Sequence, residues 1–245
     1  MRVAAIADIH GNIDALEAVL ADIAGEKPDL IVNLGDCLSG PLAARATADR
    51  LMALDLPTVR GNHDRALIDR PAEKMGSWER PAFAEISEPH LDWIRSLPMT
   101  LVLEGEIYMC HATPENDNVM WMEELLDTGR FSLRSRARME AIATGIDQSL
   151  ILCGHSHVAR SVMLTDGRLI VNPGSVGCPA FLDDEPFDHR LETGAPFASY
   201  ALIEKTEAGW QPTFRQLRYD PRRMAALATE RGYDDWARAV STGWV

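Results

Sequence analysis

Five short clusters carry the residue types that hold borderline divalent metals: Asp8-Ile9-His10, Gly35-Asp36, Gly61-Asn62-His63-Asp64, His111 and Gly154-His155-Ser156-His157. Imidazole nitrogens, carboxylate oxygens and one amide oxygen suit Mn2+, Fe2+, Zn2+, Co2+ or Ni2+, and no thiolate is needed. In Asp8-x-His10 and His155-x-His157 a spacing of two, read as extended backbone, puts both side chains on one side, so each pair can chelate. Only a carboxylate or a solvent oxygen readily bridges two cations, and Asp36 is the natural bridge. Two metals about 3.5–4 Å apart clamp the attacking and leaving oxygens of a phosphoryl group. A lone Asp-x-His or Gly-Asp is usually structural. Gly-Asn-His-Asp and Gly-His-Ser-His are far rarer, and all five clusters in order argue against coincidence.

The elements that must position these residues can be read from the apolar runs. Val3–Ala7, Leu30–Leu34, Pro57–Val59, Ile107–Cys110 and Leu150–Cys153 read as buried strands, and the clusters follow them directly. In α/β sheets ligands gather outside the carboxyl ends of strands, so residues distant in sequence can converge there. Asn12 can cap a helix whose Ile13, Leu16, Leu20 and Ile23 share a face, which makes the opening unit β-α-β. Further helices are expected from Pro41 to about Leu54 and near Glu88–Ser96, and the crossovers imply parallel pairing of the early strands.

After Leu150 the texture changes. Ser161–Thr165 and Arg168–Asn172 flank an Asp166-Gly167 turn, and Ser199–Lys205 with Gly209–Leu217 form a second hairpin, so the second half is expected to be mainly antiparallel. Asp220-Pro221 starts a helix to about Arg231, and a last short helix lies near Asp235–Val240. The expectation is an α/β (α+β) fold of two packed sheets with helices outside, one domain over residues 1–245.

Composition narrows the function. With 46% hydrophobic and 25% charged residues, and no apolar run near the roughly 20 residues of a membrane helix, a soluble protein is expected, with no membrane partner. Asp8 and His10 interrupt the N-terminal apolar run where a signal peptide would stay apolar. Cys37, Cys110, Cys153 and Cys178 are scattered without a CxxC pair, which fits reduced thiols in the cytoplasm. A net charge of −13 disfavours long nucleic acid, whose binding needs a basic surface. Two divalent ions would bring four positive charges, against two carboxylates and one hydroxide, and leave a local positive centre that a small phosphate ester can approach.

The ordered motifs resemble the calcineurin-like metallophosphoesterase superfamily. Asp8-Ile9-His10-Gly11-Asn12-Ile13-Asp14-Ala15-Leu16, Asn172-Pro173-Gly174-Ser175-Val176-Gly177, the Ala198-Ser199-Tyr200 strand and Tyr219-Asp220 are similar to its small bacterial and archaeal phosphodiesterase-like branch. The resemblance leaves out only variable segments near 68–90 and 178–197. It implies a four-layer αββα sandwich of two mixed sheets. It also implies one divalent metal on Asp8, His10, Asp36 and His157, and a second on Asp36, Asn62, His111 and His155. The implied mechanism is in-line attack on phosphorus by metal-bridging hydroxide, with His63 protonating the leaving oxygen.

Two roles are open for Asp64, which either orients His63 through its other ring nitrogen or caps the helix that follows. The phosphoprotein phosphatase branch continues its Gly-Asp motif with an Asp-Arg pair that grips phosphate, whereas here Cys37-Leu38-Ser39-Gly40 follows. That shifts the expected substrate towards a small phosphodiester. A nucleotide pyrophosphatase or a phosphomonoesterase (protein phosphatase) is the alternative within enzymes, and a metal-binding scaffold without catalysis is the alternative outside them. An intact His63 favours catalysis.

Weaker features have bland readings. Asn172–Gly177 is a tight turn that buttresses the metal loops, in preference to a substrate contact. Cys37, Cys110 and Cys153 are small buried thiols. The acidic segment with Asp183, Asp184, Glu185 and Asp188 is a solvated loop or else a lid. His90 and His189 are ordinary. Trp78 and Trp121 either line a cleft or enter the core, and Arg130, Arg134, Arg136 and Arg138 form a basic run in which Arg134 and Arg138 share a helical face.

Overall fold

In the computed structural model the first apolar run is strand β1 (Arg2–Ile6), and residues 1–184 and 187–245 are described. Glu185 of the acidic segment lies outside the described residues. Helix α1 (Ile13–Glu26) follows, with the Asn12 side chain accepting from the Ala15 N–H at 3.1 Å as its cap. The chain returns as β2 (Leu30–Asn33), parallel to β1, and α2 (Ala44–Leu54) packs beside α1. Pro57–Val59 contributes a single parallel bridge, Asn33 to Thr58, before α3 (Asn62–Asp69) starts inside the Gly-Asn-His-Asp cluster itself. The short α4 (Glu79–Phe83) and α5 (Glu88–Ser96) lead to β3 (Thr100–Leu103) and β4 (Ile107–Cys110).

Next come the small hairpin of β5 (Glu123–Leu125) and β6 (Phe131–Leu133), then α6 (Arg136–Ile142) and β7 (Leu150–Leu152). The expected Asp-Gly hairpin is present as β8 (Arg160–Met163) and β9 (Leu169–Asn172). Strands β10 (Ala180–Asp183) and β11 (His189–Glu192) pair with each other. The chain closes with β12 (Ala198–Thr206), β13 (Gly209–Leu217), α7 (Arg222–Glu230) and α8 (Asp234–Thr242).

Two mixed sheets result, one in the order β13-β12-β1-β2 and one in the order β3-β4-β7-β9-β8. Their packing follows from the two-residue period of each strand. On β1, Val3 and Ala5 point into a middle core with Val32, Ile107, Met109, Leu150, Leu152 and Val171, while Ala4 and Ile6 point the other way. That outer face takes Leu16, Val19 and Ile23 of α1 with Leu51, Met224 and Trp236. Beyond the second sheet, Met139 of α6 and Ala143 at its C-terminal end cover Cys110, Ile151, Cys153 and Ile170. The layers are therefore αββα. Both faces of β1 are buried, which is why it reads as an unbroken apolar run.

Several expectations change. The second half is mainly antiparallel, as its hairpins imply (β8–β9, β10–β11 and β12–β13, with β12 also antiparallel to β1), but β7 departs from that pattern and lies parallel to both β4 and β9. Within the segment 178–197, Ala180–Asp183 and His189–Glu192 pair as antiparallel strands with Ala180, Phe181 and Leu191 buried, which a solvated loop would not do. Trp121 lies in the core beneath α6 and lines no cleft. Arg134 and Arg138 share no helical face: Arg134 precedes α6 and donates to the Met120 and Glu123 carbonyls, whereas Arg138 on the helix pairs with Glu124. No helix among the described residues is long and apolar enough to cross a membrane.

Candidate metal centre

The loops that leave β1, β2, β4 and β7, together with the start of α3, meet at one end of the two sheets. They bring the ligand atoms into two groups, Asp8 with His10 and His157, and Asp36 with His111 and His155, the atoms of each lying within 4.8 Å of one another. Asn62 joins the second group through its Oδ1, 3.0 Å from His111 Nε2. The groups are tied together where the His155 N–H donates to both oxygens of Asp8 at 3.1–3.2 Å.

The route to this convergence differs from extended pairs. Asp8, His10, Asp36, His155 and His157 all adopt positive φ, between 50° and 69°, in the left-handed region that costs a non-glycine residue about 1–3 kcal/mol. Asp8 and His10 still serve one group. His155 and His157 do not chelate together: the chain turns at each, so one imidazole faces His111 at 5.2 Å between ring centroids and the other faces His10 at 5.0 Å.

The hydrogen bonds determine which atoms face inward. A backbone carbonyl only accepts, so His111 Nδ1 donates to Leu34 O at 2.7 Å and His157 Nδ1 donates to Cys178 O at 2.8 Å. In the neutral rings this leaves Nε2 as a lone pair in both. His111 Nε2 then faces Asn62 Oδ1 at 3.0 Å and Asp36 Oδ2 at 3.2 Å. His157 Nε2 faces His10 Nε2 at 3.2 Å and Asp8 Oδ1 at 3.6 Å, with His10 Nδ1 anchored on Ser39 Oγ at 2.8 Å. Buried acceptors aimed at one another need a cation or a proton between them. The donor set therefore fits divalent metal ions, and thiols play no part: the four cysteines are buried and unpaired.

Titration states respond to the same crowding. Burial, opposed by His111 and reinforced by Asp36, pushes the Asp8 carboxyl up to about 8. Burial and the neighbouring His157 hold His10 well below its ordinary value, and burial takes His157 down to about 4 against the pull of the Cys178 carbonyl. Burial and the charge on His111 take His155 down to about 3. Burial would lower His111 too, but the charge and hydrogen bond of Asp36 raise it to about 10. Burial would raise Asp36, and His111 and His63 instead hold it well below the usual carboxylate range.

His63 stands beside both groups. Its N–H donates to Asp36 Oδ1 at 2.9 Å, and its ring lies 5.7 Å from that of His10. The two roles open for Asp64 separate cleanly. Its fully buried carboxylate accepts from the N–H groups of Asp36 (2.8 Å), Cys37 (2.9 Å) and Gly61 (3.1 Å), so it caps α3 and fastens the Asp36 loop to it. It does not orient His63. That contact belongs to Glu79, whose Oε1 is 2.7 Å from His63 Nδ1, in a segment without motif character. Trp78, the preceding residue, stacks on the His63 ring at 4.7 Å and 21°. No spacing signals either contact; both arise only because α4 packs against α3.

The Asn172–Gly177 turn is a buttress. Asn172 donates to Gly154 O at 2.6 Å, Ser175 Oγ donates to Asp8 O at 2.7 Å, and Gly177 N–H donates to the same carbonyl at 3.1 Å. A Cβ on Gly177 would come within 1.8 Å of Ile9 O, and one on Gly61 within 2.1 Å of Asp36 Oδ1. Both glycines are needed for these close approaches. His90 bonds Asp49 at 2.9 Å and the Ser87 N–H at 3.0 Å, and His189 bonds Phe187 O at 2.8 Å, each a local structural contact.

An αββα sandwich that gathers two histidine–carboxylate groups at its strand ends defines a metal-dependent hydrolase architecture. The description of the calcineurin-like phosphoesterase superfamily domain matches residues 1–189, and the chain belongs to that superfamily of metal-dependent phosphoester hydrolases. An uncharacterized protein of Methanocaldococcus jannaschii is 24% identical over 208 residues, which cover 72% of this chain and 76% of that one. A metallophosphoesterase crystal structure from Sphaerobacter thermophilus superposes with a TM-score of 0.73 at 26% identity, covering 99% of this chain and all of that one. A structure described as a putative diadenosine tetraphosphatase shares the fold, with a TM-score of 0.53 at 16% identity over 87% of this chain and 93% of that one.

Proposed function

We propose that the chain hydrolyses a small phosphate ester, a phosphodiester in first place, with two divalent cations. Asp8, His10, Asp36 and His157 would hold one, Asp36, Asn62, His111 and His155 the other, and His63 would give a proton to the leaving oxygen. The observation that carries this reading is the convergence of carboxylate oxygens and imidazole nitrogens from both sheets into two adjacent ligand groups, with Asn62 Oδ1 beside the second. When bound, the cations supply Lewis-acid charge and an activated water.

The chain's own residues do the rest. Ser39, Leu34 and Cys178 fix three imidazoles so that Nε2 faces inward. Asp64 holds the Asp36 loop against α3. His63, at the half-buried side of the centre with Asn62 and His155, is where a substrate oxygen can meet a proton donor. A diester rather than a dianionic monoester is favoured because no free guanidinium follows Asp36, and Arg65 on α3 is held in a bidentate pair with Asp117 at 2.6 and 2.8 Å. The buried, unpaired thiols support a reducing, cytoplasmic setting.

The test compares bis-p-nitrophenyl phosphate with p-nitrophenyl phosphate under added Mn2+, Fe2+, Zn2+, Co2+ or Ni2+. The diester is expected to be the better substrate. A monoester preference would move the assignment to a phosphomonoesterase, and inactivity on both esters with every metal, alongside two-metal binding, would leave a scaffold.

A further inference from the structure

Glu79 is a carboxylate 2% exposed in a region that no motif covers, and its two oxygens are used differently. Oε1 takes His63 Nδ1 at 2.7 Å. Oε2 accepts from the Gly76 N–H at 3.3 Å and faces Arg70 Nη1 at 3.4 Å. The carboxylate is thereby locked by the turn that precedes α4, and it locks the imidazole in turn. With Nδ1 occupied and Trp78 stacked on the ring face, Nε2 is the only nitrogen of His63 left to meet a substrate. Burying a carboxylate costs several kcal/mol unless its partners offset it, so a buried acid with one oxygen reserved for one ring nitrogen is a device for aiming that ring.

The value of an aimed proton donor depends on what leaves. When the P–O bond breaks, its electron pair stays on the leaving oxygen. An alkoxide is strongly basic and must take a proton in the same step, whereas a nitrophenolate or a phosphate departs without one. From the reading of this centre as a phosphodiesterase, and resting on it, we infer that Glu79 is the positioning residue for His63 and that the substrates are diesters of aliphatic alcohols, such as sugar or glycerol hydroxyls, rather than aryl esters or phosphoanhydrides. In the step, a water oxygen forms the new P–O bond and the P–O bond to the alcohol breaks. The His63 Nε2 proton passes to the departing oxygen, and the proton lost by the attacking water restores His63 through solvent. The products are one alcohol and one phosphate monoester.

The experiment uses the Mn2+-loaded full chain, wild type and Glu79→Gln, on two diesters: dithymidine monophosphate, which must expel an alkoxide, and bis-p-nitrophenyl phosphate, which expels nitrophenolate. Glu79→Gln is expected to lose on the order of 10²-fold in kcat on the first, the lower range for a general acid, and at least tenfold less than that on the second, with KM on each within about threefold of wild type. In His63→Ala the same change at residue 79 should add almost nothing, as for two residues acting through one step. A readout independent of turnover is the downfield imidazole N–H resonance of His63 in the metal-free protein, present in wild type and lost in Glu79→Gln. Equal losses on both esters, or additive losses in the double variant, would overturn the positioning role. Wild-type protein that cleaves the aryl diester but not dithymidine monophosphate would overturn the substrate class while leaving the phosphodiesterase reading intact. Inactivity of wild type on both would remove that reading itself.

Discussion

The two donor groups use the same residue types in different surroundings. Asp8, His10 and His157 are buried to 5% exposure or less, with Trp78, Phe181 and Trp236 packed against the His10 and His157 rings. Asp36 and His111 are equally buried, but their partners Asn62 and His155 are half-exposed, and His63 stands next to them. The electrostatics differ accordingly. Without cations the first group sheds charge: its imidazoles are pushed down and Asp8 is pushed up to about 8. The second group keeps an internal ion pair, His111 raised to about 10 beside a strongly ionised Asp36. One group is a closed pocket that a cation completes, and the other is a charged pair that a cation must break to reach the side open to substrate.

The largest effect is expected at Asp36, which contacts His111, takes the His63 N–H and is proposed to serve both cations. Asp36→Asn should lower kcat by on the order of 10³-fold or more, the scale of losing a group that stabilises developing charge, and metal analysis should find fewer than two ions per chain. Full two-ion stoichiometry in this variant would erase the distinction, since Asp36 would then be dispensable to both groups.

Smaller effects should divide the groups from each other. Ser39→Ala frees His10 Nδ1 in the first group, and Asn62→Ala removes an oxygen from the second. Each should weaken one cation by about 10–100-fold, as for a lost ligand-orienting contact or a single neutral ligand, and spare the other. Protons sharpen the contrast. Cation entry displaces the proton on Asp8 in the first group and that on His111 in the second, so affinity falls as pH drops below each value. In Asn62→Ala, where the first group dominates, proton release measured by calorimetry should fade above about pH 8. In Ser39→Ala, where the second dominates, it should persist at pH 9, because His111 is raised to about 10. Identical proton release in the two variants would mean that the groups titrate as one.

What the sequence discloses about this centre follows the same division. The strands are legible because each is an apolar run buried on both faces, and the clusters after β1, β2, β4 and β7 stand out as polar residues where such runs stop. The Asp166-Gly167 hairpin is legible from turn chemistry. The split of His155 from His157 is not, because a spacing of two carries no sign of positive φ in a residue with a Cβ. Glu79 is hidden for another reason: its role rests on α4 packing against α3, a tertiary contact between residues sixteen apart in a segment with no periodicity. The three-residue strands β5 and β6 are likewise too short to leave an alternating pattern.

Asp64 and Glu79 supply the narrowest form of the comparison, since both are buried acids close to His63 and only one of them touches its ring. Asp64 spends both oxygens on backbone N–H groups of Gly61, Asp36 and Cys37. In Asp64→Asn one of those oxygens becomes an NH2 group that faces donors, which leaves at least one buried amide unpaired at a cost of about 1–3 kcal/mol. At about 2–4 °C per kcal/mol for a chain of this size, the melting temperature should fall by several degrees. Activity should fall only as far as the Asp36 loop loosens, and the ratio of rates on alkoxide-leaving and nitrophenolate-leaving diesters should stay at the wild-type value, because the hydrogen bond that aims His63 is untouched. A shift in that ratio matching Glu79→Gln would show that the helix cap and the ring contact act as one unit, and that α3 as a whole, rather than Glu79, sets the direction of the proton.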